Sequence, residues 1–471
     1  MSFGFRLRLT GVLAPGDPPP APGSHGHLDY RGALDARGFK GRDAGPFSLG
    51  RVVNLRAGKP GRDVGLYLGE IAHHSVVVGP PGSGKTHGVI IPWIVAALRE
   101  GASVIALDVK GDMLSSIDAY RRRFPAIGCR VVNIDYTRPD RSASWNWFSE
   151  LRSLSGGPNV RAVSSAVEAI LGRERPNDSQ PFFHQQDSMI LQSLLELVCH
   201  SSRQNVTAAQ LLALLSDQLR LESVVNKYSG TPPAMRLEPY VVLGPSDYAK
   251  ATSGVRVVLT DLAQPLIEKI TTHHSVSSRE LIDDHYLTMM VAPVQDGKLS
   301  AAVSALFLGR LSQAIYDRLS TGGGRPVVLV IDEAARILDR VRIEEFISVA
   351  RSADACVVLA LQDAAQIKDD NERSTILSNC STYVSLHGVS RASADYLSSR
   401  LGDGRVSSYS TQSTQNPGQW RRTESTSLTS ELAPLLGPRE IMTPPFGRRS
   451  AIVHARDVSD HPFVVDLSRA D

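Results

Sequence analysis

Eight consecutive residues, Gly79-Pro80-Pro81-Gly82-Ser83-Gly84-Lys85-Thr86, constrain this chain more than any other stretch. They complete the pattern GxxxxGK[ST]. Three valines (76 to 78) run into the loop and an apolar segment follows it, so it is expected to join a buried strand to a helix. The glycines let backbone N–H groups turn inward around phosphate oxygens. The helix that follows points its positive end at the same anion. Lys85 can then reach the β- and γ-phosphates, and the Thr86 hydroxyl can ligate Mg²⁺. A purely structural glycine turn is the competing reading, and the strand–loop–helix context argues against it. All eight residues are therefore expected to bind a nucleotide, with ATP and Mg²⁺ as the ligands.

Such a loop needs a further carboxylate for the metal. RPVVLVIDEAARI (325 to 337) supplies one, because a buried apolar strand ends in Asp332 and Glu333. Ligands bind at the carboxyl ends of parallel strands. Asp332 is expected in the Mg²⁺ shell, with Glu333 orienting and deprotonating the attacking water. The acid pair favours hydrolysis over transfer to a second substrate. A further strand, ACVVLALQ (355 to 362), ends in Gln362, a candidate contact for γ-phosphate or the lytic water. Arg351 precedes that strand and is a candidate arginine finger toward a neighbouring subunit. The plain alternatives are a strand-end glutamine and a surface ion-pair partner.

Strands and helices alternate around these motifs. VVV (76 to 78), SVIALDVKGD (103 to 112) and CRVVNID (129 to 135) come before a break in the pattern. YLTMMVAPV (286 to 294), the two catalytic strands and TYVSLHG (382 to 388) come after it. This argues an α/β fold with a mainly parallel sheet. From 158 to 265 the apolar spacing is helical, as in QQDSMILQSLLELVCH (185 to 200). The division expected is a leader and irregular segment over 1–64, a first nucleotide-domain part over 65–157, an all-α insertion over 158–265, and a second part over 266–471. Residues 13 to 26 read as a flexible Pro/Gly leader. Residues 406 to 429, rich in Ser, Thr, Gln and Arg, read as an exposed loop or hairpin.

Composition excludes some classes. The chain has 471 residues and a formal net charge of +3, so charge alone announces no nucleic-acid binding. No apolar run reaches the ~18 residues that argue a membrane span. Cys129, Cys199, Cys356 and Cys380 are far apart and contain no CxxC pair. Reduced thiols are expected, not zinc or redox chemistry. Neither His73-His74 nor His273-His274 has metal-motif spacing.

Taken in order, these motifs resemble the coupling proteins of type IV secretion and conjugation systems, which are hexameric RecA-like ATPases. GSHGHLDYRGALDARGF (23 to 39) is similar to the segment after that family's membrane anchor. GPPGSGKTHGVIIPWI is similar to its P-loop and following helix. ALDVKGDM (106 to 113) resembles its "DPKGE" strand, with Val109 in place of proline. SASWNWF (142 to 148) resembles its "WNP" element, with Trp147 in place of proline. LALQDAAQI (359 to 367) and LAPLLGPREIM (432 to 442) resemble its glutamine strand and its C-terminal element.

The resemblance implies a RecA-like fold, and roles for Lys85, Thr86, Asp332, Glu333, Arg351 and Gln362 in ATP hydrolysis. It implies a helical insertion that contacts cargo proteins. Implied partners are single-stranded DNA with its relaxase, secretion-channel components and further copies in a homo-hexamer, with a monomer in isolation. Most members begin with two transmembrane helices. The absence of such a pair here implies a soluble variant or a removed anchor, in the cytoplasm or at the cytoplasmic face of the inner membrane. Two other readings stay open: a cytosolic DNA translocase of the same fold for partition or defence, and an ATP-regulated cargo adaptor.

Overall fold

Residues 103 to 108, 327 to 331 and 355 to 361 are buried along their whole length. Strands apolar on both faces require helices on both faces, which is the condition for a parallel sheet. A computed structural model of the chain has this architecture. It describes residues 9–10, 44–54, 59–123, 128–153, 156–174, 181–202, 205–322, 324–414, 423–434, 436–443, 448–459 and 462–467. The expected leader (13 to 26) and the anchor-proximal segment (23 to 39) lie outside the described residues.

The strands are β1 (Leu9–Thr10), β2 (Phe47–Asn54), β3 (Lys59–Leu66), β4 (Ser75–Val78), β5 (Ser103–Asp108), β6 (Arg130–Asp135) and β7 (Tyr286–Val291), then β8 (Val327–Ile331), β9 (Ala355–Leu361), β10 (Thr382–Leu386), β11 (Asp403–Thr414), β12 (Thr423–Pro434), β13 (Ser450–Ala455) and β14 (Phe463–Asp466). The main sheet runs β3-β2-β14-β13-β10-β4-β9-β8-β5-β7-β6. From β10 to β6 every pairing is parallel. At the other end β13, β14, β2 and β3 extend the sheet antiparallel. This extension was not legible from the residues up to Leu66, which read as irregular. The stretch expected as a loop or hairpin is the antiparallel pair β11–β12, with β1 along β11.

The strands send alternate residues to two cores. Val104, Ala106, Val328, Val330, Val358 and Ala360 pack against Trp93, Ile94 and Leu98 of helix Ile91–Arg99. Ile105, Leu107, Leu329, Ile331, Val357 and Leu359 face a second cluster that includes Leu306, Phe307 and Leu311. Those three lie on helix Gly297–Thr321. That helix is long and apolar enough to cross a membrane, but most of its apolar stretch is buried in the protein, as in a core helix.

Between β6 and β7 the described residues form no strand. Helices run from Val160–Leu171 to Ser278–Asp283, past the residue 265 expected as the border. Buried Asn146 braces this insertion. Its Nδ2 donates to the carbonyls of Val206 (3.0 Å) and Thr271, and its backbone N–H donates to His274 Nδ1 at 3.1 Å. Arginines hold the first insertion helix. Buried Arg310 donates to Ala162 O at 2.7 Å, and Arg340 donates to Ala169 O and Ile170 O at 2.8 and 2.7 Å. Arg340 thus satisfies carbonyls that a helix end leaves open. Arg342 grips both Glu168 carboxylate oxygens at 2.8 and 3.0 Å.

Candidate functional site: a phosphate loop facing a strand-end acid pair

The loop leaves β4 at Gly79, whose N–H donates to Leu361 O at 3.0 Å. A Cβ on Gly79 would lie 2.6 Å from Ser83 Oγ and 2.8 Å from Leu386 Cβ, so only glycine fits between loop and sheet. Gly82 and Gly84 have φ of +76° and +94°, with nothing within 4 Å of an added Cβ. They shape the mouth of an open cradle. The chain then enters a π-helical turn, Lys85–Ile90, before helix Ile91–Arg99. Single π-helical turns recur at functional sites.

Lys85 is buried, and its ammonium folds back on the loop's own carbonyls, Gly79 O and Pro80 O (3.4 Å). Burial lowers its pKa, while Glu333 and Asp332 act in the opposite direction. Ser83 Oγ is buried without a hydrogen-bond partner among the described residues. A buried orphan hydroxyl and a lysine satisfied only by its own loop are suited to an incoming polyanion.

Asp332 and Glu333 follow β8 at the same edge of the sheet. Asp332 is 3% exposed, and its carboxyl is pushed up to about 6. Burial is the main cause, followed by the Glu333 charge, while Lys110 and Lys85 pull it back down. Glu333 has φ of +53° and ψ of +48°, a left-handed conformation rare for a residue with a Cβ. Such strain persists where surrounding structure imposes it, often at functional sites.

Gln362 stands at the carboxyl end of β9. Because β9 lies between β4 and β8, this places it between the phosphate loop and the acid pair. Its backbone N–H donates to Gln366 Oε1 at 3.2 Å. Arg351 is elsewhere. It is exposed, four residues before β9, at the amino edge of the sheet. Its charge is felt by His74, just before β4. A seven-residue strand spans ~23 Å, so Arg351 is remote from Lys85 of its own subunit. Lys85, Asp332, Glu333 and Gln362 therefore share one edge, with Gly79–Thr86, and Arg351 occupies the other.

Two residues were not recognised as part of this site in the sequence. Asp108 ends β5, next to β8, with Leu107 in register with Ile331. It is buried, and its carboxylate accepts backbone N–H groups from Lys110 (3.0 Å), Gly111 (2.8 Å) and Met113 (2.8 Å). Lys110 projects beyond it. The signal was present, since β5 ends in an acid as β8 does.

Both histidine pairs have structural partners. His74 Nδ1 accepts Val357 N–H at 3.1 Å, and His73 Nδ1 pairs with Asp457 at 2.8 Å. His274 contacts Asn146 as above. Among the described residues no three His, Cys, Asp or Glu side chains gather as a metal cluster. Asp332 and Thr86 each offer oxygen donors of the kind Mg²⁺ takes alongside waters and substrate phosphates.

A family model described as "Type IV secretory system Conjugative DNA transfer" matches residues 36–456. The chain belongs to this family. A search of curated proteins finds no match. Among solved structures, the unbound bacterial conjugative coupling protein TrwBdeltaN70 is similar, with a TM-score of 0.62 and 18% identity over 91% of this chain and 90% of that one. Plasmid coupling protein TrwB in complex with ADP and Mg²⁺ gives the same TM-score, identity and coverage. VirB4 of Thermoanaerobacter pseudethanolicus is similar at a TM-score of 0.55 and 12% identity, over 91% and 98% of the two chains. These likenesses establish the RecA-like fold of this family member.

Proposed function

We propose that this member of the conjugative DNA transfer family is an ATPase that couples hydrolysis to moving DNA, with its relaxase or protein cargo, toward a type IV secretion channel. The observation that carries the reading is one sheet edge bearing a glycine cradle, a buried lysine and a buried strand-end acid pair. TrwB has been solved with ADP and Mg²⁺. By analogy, Gly79–Thr86 would enclose the phosphates, with Thr86 and Asp332 holding Mg²⁺. Bound Mg²⁺ supplies charge neutralisation at the phosphate oxygens. Lys85 exchanges its loop carbonyls for phosphate oxygens. Glu333 orients the attacking water and takes its proton, and Gln362 fixes that water or the γ-phosphate.

Arg351 cannot serve its own subunit's site from the opposite edge, so its role requires a neighbour. A ring, expected to be a homo-hexamer, brings one subunit's amino edge to the next subunit's nucleotide. The helical insertion is the surface proposed to receive cargo, and its bracing by Asn146 and Arg310 supports transmission of movement from the core. The protein then works in the cytoplasm or at the cytoplasmic face of the inner membrane.

The test is the ATPase rate with and without single- and double-stranded DNA, across protein concentration. Stimulation by DNA together with specific activity that rises with concentration supports the reading. Cargo binding that depends on nucleotide without DNA stimulation would favour an adaptor instead.

A further inference from the structure

We propose that Lys110 is a second phosphate-contacting lysine, engaging the terminal phosphate of a bound nucleoside triphosphate from the side opposite the glycine loop. The inference rests on the nucleotide reading above and adds a group that reading does not use.

Three observations place Lys110 there. First, β5 and β8 are neighbours with Leu107 opposite Ile331, so Asp108 and Asp332 emerge at the same level. Parallel strands lie ~4.8 Å apart, which sets Lys110 beside the acid pair. Second, the backbone that carries Lys110 is fixed. Three N–H groups from residues 110, 111 and 113 converge on the buried Asp108 carboxylate, and Gly111 turns the chain at φ +75°. A buried carboxylate spent on shaping a turn pre-organises what the turn presents. Third, Lys110 itself is exposed and makes no ion pair or side-chain hydrogen bond among the described residues. Its charge nevertheless reaches both Lys85 and Asp332.

A lysine that merely balanced Asp332 and Glu333 would be expected to close on one of them. One held nearby and unpaired is free to meet a new anion. Lys85 reaches the phosphates from the loop side, from β4. Lys110 approaches from β5, beyond β8, where the γ-phosphate lies between the loop and the acids. A diphosphate ends short of that position. Lys110 thereby discriminates triphosphate from diphosphate, a distinction any nucleotide-driven motor must make.

The experiment is calorimetric titration of the full chain with ADP and with the non-hydrolysable analogue ADPNP, both with Mg²⁺. Lys110→Ala is expected to weaken ADPNP by about tenfold to hundredfold, the loss expected for a hydrogen bond to a charged group. ADP should change by less than about twofold, and Lys110→Arg should recover most of the loss. The exposed position predicts an unchanged melting temperature for both variants. Equal weakening of both nucleotides, or no change in either, overturns the role of Lys110 while leaving the nucleotide site standing. If the unaltered protein binds neither nucleotide, the nucleotide reading fails and the lysine with it.

Discussion

The two edges of the parallel sheet are built from the same strands, yet the candidate-site groups at one and the Arg351–His74 neighbourhood at the other treat charge differently. The carboxyl edge buries ionisable groups of both signs together: Lys85, Asp332 and Asp108. Around β4 and β9 the amino edge leaves Arg351 exposed, and the nearby buried imidazole of His74 is held neutral. Both edges also carry backbone strain. Glu333 is left-handed at the first, and His74 and Asp354 are left-handed at the second. Buried charge without full pairing is costly unless a ligand completes it. An exposed cation costs little and is free to act outside its own subunit. Strain alone therefore does not mark a site, whereas strain beside buried, incompletely paired charge does.

The largest effect is expected at the carboxyl edge. Lys85→Ala should abolish ATP hydrolysis with the fold intact, read by turnover beside a melting curve. Glu333→Gln should keep nucleotide and Mg²⁺ and trap ATP unhydrolysed. Failure of Glu333→Gln to bind ATP would reverse the roles given to Asp332 and Glu333.

At the amino edge, Arg351→Ala should bind ATP normally and hydrolyse it more slowly, by roughly 10³ to 10⁵ if it acts as a finger. Mixing it with Lys85→Ala should restore part of the activity, because some interfaces then pair an intact loop with an intact arginine. A fully active Arg351→Ala protein ends the idea that the two edges meet across subunits.

A third test uses pH. Burial, aided by the His73 and Arg351 charges, lowers the His74 pKa from 6.5 to about 4, against an opposing hydrogen bond to Ile347. The fold favours neutral imidazole, whereas the unfolded chain takes up a proton near 6.5. The His74 contribution is thus complete above pH 6.5 and is lost as pH falls toward 4. At ~1.4 kcal/mol per unit, the loss approaches ~3 kcal/mol. Urea midpoints across this window should fall more steeply for the unaltered protein than for His74→Gln. Parallel curves would show that His74 is not the group responsible.

The smallest effect separates strain from function. Asp354→Gly relieves a left-handed aspartate at an exposed position and should raise stability by no more than ~1 kcal/mol, with turnover unchanged. Glu333→Gly relieves the same kind of strain and should lose turnover. A drop in turnover for Asp354→Gly would show that the strained turn at the amino edge matters to function, as would follow if it positions Arg351.

Much of this site was legible because its chemistry is local. Gly79–Thr86 announces itself through glycine spacing, lysine and threonine, and Asp332-Glu333 through acids that end an apolar run. Asp108 and Lys110 were harder to recognise. Their importance depends on β5 lying beside β8, although more than 200 residues separate the two strands. Asn146 sits in a segment the sequence singled out, yet its bracing role was not legible, since its partners Val206, Thr271 and His274 are distant in sequence.

The sequence by itself determined which segments form the parallel strands, where the helical block falls, and which loop is the candidate anion cradle. Those properties follow from periodicity and from backbone freedom over a few residues. Only the tertiary structure decided the strand order, with β9 seated between β4 and β8. It also decided the antiparallel extension, the separation of Arg351 from Lys85, and the placement of Lys110 near the acid pair without contact to it. Strand order depends on which faces can be buried together across the whole chain. No local run of residues encodes it, because each strand presents the same apolar pattern to any neighbour.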